Sequence, residues 1–484
     1  MKDLRYVIIG AGMAGILAGI RLKERGEHNF TLYEKGRTVG GTWRENTYPG
    51  VACDTPAHSY CYSFATNPDW SAFYAPGAEI EAYFEHITDH YALRDNIRFN
   101  TEIASCHYSQ GQWHLQSTDG GKDVADVVIA ATGVLHHPKV PDIPGLKRFR
   151  GHCFHSARWD HSIELADKRV GVIGNGSTGV QIVSALSGNV QRLVHFQRSP
   201  QWIMPCPDTR YTEEDRRAFR DCPEKIEAVR NGPEAQARRG RFLAAIIDVD
   251  SPELAEIQSI VEQNLETGVR DPELREKLRP DYRAACKRLV FSSNYYEKVQ
   301  HPSVFVDTCE IERIEATGVL MQDGSFHELD VLVLATGFKT DAFVRPMTIT
   351  GRNGADLEAL WQLHPKAYYA MTIPDFPNFF MLNGPSGPVG NFSLIDIAER
   401  QWGYIDQLID LLRAGKCRSV SPTAEALEEY EKIRAKAAMK TVFASGCNSW
   451  YLDVEGVPQV WPWSYEHFIA VMAKPRLLDY ELRG

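Results

Sequence analysis

The sequence predicts an α/β protein built from two Rossmann-like dinucleotide-binding domains, with a helical insert in the second. Three observations carry this expectation. A strand, glycine loop, helix and strand open the chain; a second copy of that unit begins near residue 169; and two apolar runs elsewhere end in the same Ala-Thr-Gly. At 484 residues the chain is too long for one core, and its 43% hydrophobic, 24% charged composition is that of a globular protein. A formal net charge of -10 offers no basic field for a polyanion, which excludes nucleic acid as an expected partner. No apolar run approaches the roughly 18 residues of a transmembrane helix, and Val7-Ile8-Ile9 is too short for a signal peptide. Ten cysteines without a CxxC pair read as reduced thiols of a cytoplasmic protein.

The first unit runs from the strand Arg5-Tyr6-Val7-Ile8-Ile9 into Gly10-Ala11-Gly12-Met13-Ala14-Gly15. Ile16, Leu17 and Ile20 follow at helical spacing, Gly26 lies beyond the helix end, and Phe30-Thr31-Leu32-Tyr33 leads to Glu34. In such a loop Gly10 allows the tight turn, Gly12 lets backbone approach a pyrophosphate, and Gly15 lets the helix pack on the strand. The helix N-terminus then faces the phosphates with free N–H groups. Glu34 lies 19 residues past Gly15, where its carboxylate can accept ribose hydroxyls, so a ligand with a free ribose, such as FAD, is expected here.

The second unit repeats the pattern with Arg169-Val170-Gly171-Val172-Ile173, Gly174-Asn175-Gly176-Ser177-Thr178-Gly179 and the strand Leu193-Val194-His195-Phe196. Its second strand ends in Gln197-Arg198-Ser199 instead of an acid. An arginine there attracts a 2′-phosphate, so this site should prefer NADP(H) to NAD. The runs ending at Gly133 and Gly337 are apolar throughout, as buried parallel strands are.

From Tyr211 to about Arg283 the chain turns charged and helix-forming, with Ser251-Pro252 and Asp271-Pro272 as helix starts. The expected division is a FAD-binding domain at 1–145 and 341–484, an NADP-binding domain at 146–205 and 285–340, and the helical insert at 206–284. Residues 373–377 read as a proline-rich strand region. Leu427, Tyr430, Ile433 and Ala437 read as the core stripe of a late helix.

Two longer patterns are specific. Phe149-Arg150-Gly151-His152-Cys153-Phe154-His155-Ser156-Ala157-Arg158-Trp159-Asp160 matches FxGxxxHxxxW(P/D), immediately before the second glycine loop. The segment 40–54, with Gly41, Trp43, Tyr48-Pro49-Gly50 and Asp54, matches (A/G)GxWxxxx(F/Y)P(G/M)xxxD. In both, and over nearly the whole chain from Arg5 to about Phe468, the sequence resembles the type I Baeyer–Villiger monooxygenases. The resemblance implies FAD and NADPH as cofactors, and a ketone and O2 as substrates. One oxygen atom would be inserted beside the carbonyl, through a C4a-peroxyflavin, to give an ester or lactone.

Carried over residue by residue, the resemblance implies catalytic roles for Arg288, facing the flavin, and for Asp54, which would orient its guanidinium. Cofactor contacts are expected at the loop glycines, at Glu34, Gly41, Thr42, Trp43, Asp54, Thr55, Tyr60 and Ile103, and later at Ser177, Thr178, Gln181, Arg198, Ser199, Lys287 and Trp450. His155 reads as a hinge or packing residue of an interdomain linker, and His136-His137 as surface or core residues without metal-ligand spacing. Residues 384–392 form a candidate pocket loop.

Alternatives remain in the residues. A flavin-containing monooxygenase oxygenating sulfur or nitrogen shares the fold, although Trp159-Asp160 favours the Baeyer–Villiger branch. A non-catalytic flavin-binding redox protein would also carry both loops. A disulfide-reductase-like flavoenzyme lacks its cysteine pair here.

Overall fold

A computed structural model describes residues 3–388 and 392–484. Its frame is two five-stranded sheets in which every pairing is parallel. The first has the order Ile97–Arg98, Phe30–Tyr33, Tyr6–Ile9, Val127–Ala130, Phe379–Met381. The second has the order Val304–Asp307, Arg192–Phe196, Arg169–Ile173, Val331–Leu334, His152–His155. In each, the strand feeding the glycine loop is central and fully or nearly buried, with the run ending in Ala-Thr-Gly beside it. This explains the lack of alternation in those runs, since both faces are covered.

The duplication extends further. Before its fourth strand each unit carries an antiparallel meander: Ile103–Ser109, Gln112–Ser117 and Lys122–Ala125 in the first, Ile311–Glu315, Gly318–Met321 and Phe326–Glu328 in the second. The helices Met13–Glu24 and Ser177–Leu186 follow the two glycine loops.

Helices fill residues 213–277, and Ser251 and Asp271 cap theirs as the proline signals indicated, each side chain accepting backbone N–H groups. One helix starts with a capping box at Thr212 and Asp215. After the strand Phe379–Met381, the 20-residue helix Leu394–Arg413 packs on Met13–Glu24. The buried Arg413 there bonds Tyr6, Glu27 and Asp406, closing the C-terminal part onto the first strand.

Four expectations are corrected. The His155 segment is not a linker: His152–His155 is the edge strand of the second sheet, paired with Val331–Leu334. Residues 373–377 form turns before the strand Phe379–Met381, with Asp375 at φ 63°. Ile433 is 53% exposed, whereas Arg434, one position on, is 1% exposed and bonds the Pro458 carbonyl at 2.7 Å. The buried face is therefore Leu427, Tyr430, Arg434 and Ala438. Finally, Cys286 and Cys447 form a disulfide, so the cysteines are not uniformly reduced.

Candidate functional site

Both glycine loops open into one cleft of about 1730 Å3, beyond the roughly 300–1,000 Å3 of an ordinary small-ligand pocket. Of the residues expected at the site, all but Gly15 and Gly179 line it. Those two are structural: a Cβ on Gly15 would lie 1.8 Å from the Gly10 carbonyl oxygen, and one on Gly179 1.9 Å from that of Gly174. Gly176 differs, because a Cβ there meets no protein atom within 4 Å. Neither loop helix has a side-chain N-cap, which leaves its first N–H groups free to face an anion.

The two ends of the cleft have opposite electrostatics. At the first loop, Glu34 is 4% exposed and accepts from Ala11 N at 2.8 Å, Gly36 N at 2.7 Å and Arg44 Nη1 at 2.8 Å. Three of its roughly four acceptor sites are thus held by the chain, leaving one for a hydroxyl. At the second loop, Arg198 is exposed and Lys287 Nζ donates to Ser199 Oγ at 3.0 Å. Burial lowers the Lys287 pKa, with Asp281 opposing the shift and Arg198 adding to it. Among the described residues neither cation has a carboxylate oxygen within 4.0 Å, so the pair could hold an anion.

Where the halves meet, Arg288 Nη2 donates to Asp54 Oδ1 at 2.9 Å and Oδ2 at 2.8 Å, with Nε to Oδ2 at 3.2 Å. Its side chain is 37% exposed, toward the cleft, and Asp54 20%. Asp54 is the main influence raising the guanidinium pKa, against burial, and the Tyr451 hydroxyl is a further hydrogen-bond partner. This cation stays charged at any working pH. Nearby, Trp43 Nε1 donates to the Tyr60 hydroxyl at 3.2 Å. Tyr48 and Gln181 stitch the halves together: the Tyr48 hydroxyl donates to Gln181 Oε1 at 2.8 Å, and Gln181 Nε2 to the Ala52 carbonyl at 3.1 Å.

Comparison with known proteins agrees with this arrangement. Residues 3–213 match the flavin-binding monooxygenase-like family. The chain is 42% identical to a monooxygenase of Mycobacterium bovis, covering 98% of this chain and 95% of that protein. It is 36% identical to a Baeyer–Villiger monooxygenase of Streptomyces coelicolor, covering 99% and 93%. The crystal structure of cyclohexanone monooxygenase from Rhodococcus sp. Phi1, bound to NADP+, superposes with a TM-score of 0.88 at 31% identity, over 99% of both chains. The chain belongs to the Baeyer–Villiger monooxygenases.

In this Baeyer–Villiger monooxygenase the family's signature segment acts through the fold. His155 Nδ1 accepts from Ala157 N at 3.1 Å, so Nε2 carries the proton and donates to the Gly337 carbonyl at 2.9 Å. Burial keeps this ring below the usual histidine range, hence neutral. It ties the edge strand to the exit of Val331–Leu334, beside the cleft. His136 and His137 hold the carbonyls of Phe343 and Arg345 at 3.0 and 2.8 Å. Of the candidate loop 384–392, residues 389–391 lie outside the described residues.

Three features escaped the sequence reading: Arg44 on Glu34, Tyr451 on Arg288, and the Cys286–Cys447 disulfide. The last joins the chain just before Lys287-Arg288 to the chain just before Trp450-Tyr451, across 161 residues. Trp450, 45% exposed, lines the cleft and stacks on Tyr451 at 3.9 Å. Cys447→Ser should lower stability by roughly 2–4 kcal/mol, as loss of a long-loop crosslink does, and differential scanning calorimetry should read a lower Tm. An unchanged Tm would show that the bond carries no stability.

Proposed function

We propose that this enzyme oxidises NADPH and inserts one oxygen atom from O2 beside a ketone carbonyl, giving an ester or lactone, with Arg288 as the fixed positive charge at the reacting centre. The observation that carries the reading is the Arg288–Asp54 pair in a cleft walled by both glycine loops. Bound FAD would supply the redox chemistry, taking hydride from NADPH and activating O2.

The residues present fit both nucleotides. FAD would be held by Gly10, Gly12, Glu34, Gly41, Thr42, Trp43, Thr55, Tyr60 and Ile103. NADP(H) would be held by Gly174, Gly176, Ser177, Thr178, Gln181, Arg198, Ser199, Lys287 and Trp450. The open space at Gly176 is the kind of gap a pyrophosphate fills, and Glu34 keeps one acceptor position for a ribose hydroxyl.

Arg288 faces the cleft with a charge that does not titrate, so negative charge developing on oxygen meets a preorganised cation. Asp54 fixes the plane of the guanidinium through the two-nitrogen fork and compensates its charge, since an unpaired buried cation is costly. Tyr451 holds it from the other segment.

Anaerobic NADPH should bleach the flavin absorbance, and air should restore it; a protein purified without flavin would overturn the reading. Arg198→Ala should raise the KM for NADPH roughly 10- to 100-fold, the loss of one or two charge-assisted hydrogen bonds. The KM for NADH should change little. Equal effects on both coenzymes would contradict the phosphate contact.

A further inference from the structure

Arg230, Arg238 and Arg239 project from the helical insert into the same cleft, and the three are half-buried. Among the described residues none has a carboxylate oxygen within 4.0 Å. The other cleft arginines mostly do: Arg21, Arg44, Arg288, Arg345 and Arg400 pair with Glu24, Glu34, Asp54, Glu358 and Asp396. The three bond neutral groups instead. Arg230 Nη1 donates to Cys61 Sγ at 3.1 Å, Arg239 Nη1 to the Arg230 carbonyl at 2.6 Å, and Arg238 lies over the Phe73 ring at 5.4 Å. Glu253 and Glu256, on the next helix, also line the cleft but stand beyond ion-pair distance of all three.

Their position matters as much as their charge. Cys61 directly follows Tyr60, and Phe73 directly precedes Tyr74, a cleft residue whose hydroxyl feels both Arg238 and Asp54. Arg238 therefore shares the surroundings of Tyr74 with Asp54, and Arg230 stands on Cys61 beside Tyr60, while Lys287 is bound to Ser199 at the second glycine loop. In a chain of net charge -10, three half-buried guanidiniums with no carboxylate oxygen within 4.0 Å among the described residues are cations left open to an anion in the cleft that Arg288 faces.

We propose that the ketone carries an anionic group, carboxylate or phosphate, that docks on Arg230, Arg238 and Arg239 and so aims its carbonyl toward Arg288. This rests on the reading of Arg288 as the reacting centre. Guanidinium forks suit both oxyanions, and a half-buried cluster binds them more strongly than the open surface.

The test titrates FAD-loaded enzyme, without NADPH, with a medium-chain methyl ketone ending in a carboxylate, its phosphate-terminated counterpart and its neutral methyl ester. Binding is read from the change in flavin absorbance. At least one anionic ketone should bind roughly 10- to 100-fold more tightly than the ester, the range of one or two charge-assisted hydrogen bonds. Which of the two binds tighter identifies the group. High salt, or the double substitution Arg238→Gln/Arg239→Gln, should bring the ratio toward one. Equal or tighter binding of the ester, or a ratio untouched by salt and by the double variant, overturns the inference. Ester formation with NADPH is scored separately: preferential binding of the anion without oxygenation of any ketone would refute the proposed reaction and leave the anion site standing.

Discussion

Arg288→Ala should leave the flavin bound and reducible by NADPH while ester formation falls about 10²- to 10³-fold, the usual cost of removing one preorganised electrostatic donor. Removing the guanidinium leaves Asp54 facing the cleft without its two-nitrogen partner. The proposed reacting centre would then hold a negative charge where it had a compensated positive one, which would oppose further negative charge on oxygen. NADPH should still be consumed, with hydrogen peroxide replacing ester as the product. Arg288→Lys should recover little, because an ammonium makes no planar fork to Asp54. Simultaneous assay of NADPH, peroxide and ester decides the matter; normal ester yield from the alanine variant would remove Arg288 from its role.

Gly176→Ala should yield a folded, flavin-containing protein whose KM for NADPH rises roughly 5- to 150-fold, the equivalent of 1–3 kcal/mol of overpacking. The backbone at Gly176 has φ -67°, which alanine adopts freely, and the added methyl meets no protein atom within 4 Å. Any penalty must then come from the ligand side, where the methyl occupies space left for the pyrophosphate. Gly179→Ala is the contrast. Its Cβ would stand 1.9 Å from the Gly174 carbonyl oxygen, so the helix must shift and the second unit itself should lose stability. Tm, flavin content and KM measured on both variants separate the effects. An unaltered KM in Gly176→Ala would mean that no dinucleotide approaches this loop.

Local signals were readable in the sequence wherever one short segment carries the physics. The glycine spacing, the strands with both faces apolar and the Ser251-Pro252 and Asp271-Pro272 starts each depend on neighbours within a few positions, and the elements stand where those signals place them. Signals that depend on distant pairing were not readable. His152–His155 shows one buried residue in four and no alternation, so only its ladder with Val331–Leu334 makes it a strand. The Cys286–Cys447 bond spans 161 residues with no spacing pattern to reveal it. Arg434 takes the core position expected of Ile433 because its guanidinium is compensated there by Glu431, bonded from Nε and Nη2, and by the carbonyls of Pro458 and Val460. The meeting of Arg288 with Asp54, 234 positions apart, came from the family resemblance and not from periodicity. The Tyr48–Gln181 stitch that joins the two halves had no sequence signal of its own.

The most direct test is oxygen tracing. Purified enzyme is given NADPH, ¹⁸O₂ and a panel of cyclic, linear and aryl ketones, beside a parallel panel of sulfides, with products identified by mass spectrometry. One labelled oxygen atom per ester or lactone, formed with one NADPH consumed, is the predicted result. Products without label, or oxygenation of sulfides with every ketone left intact, would contradict the account.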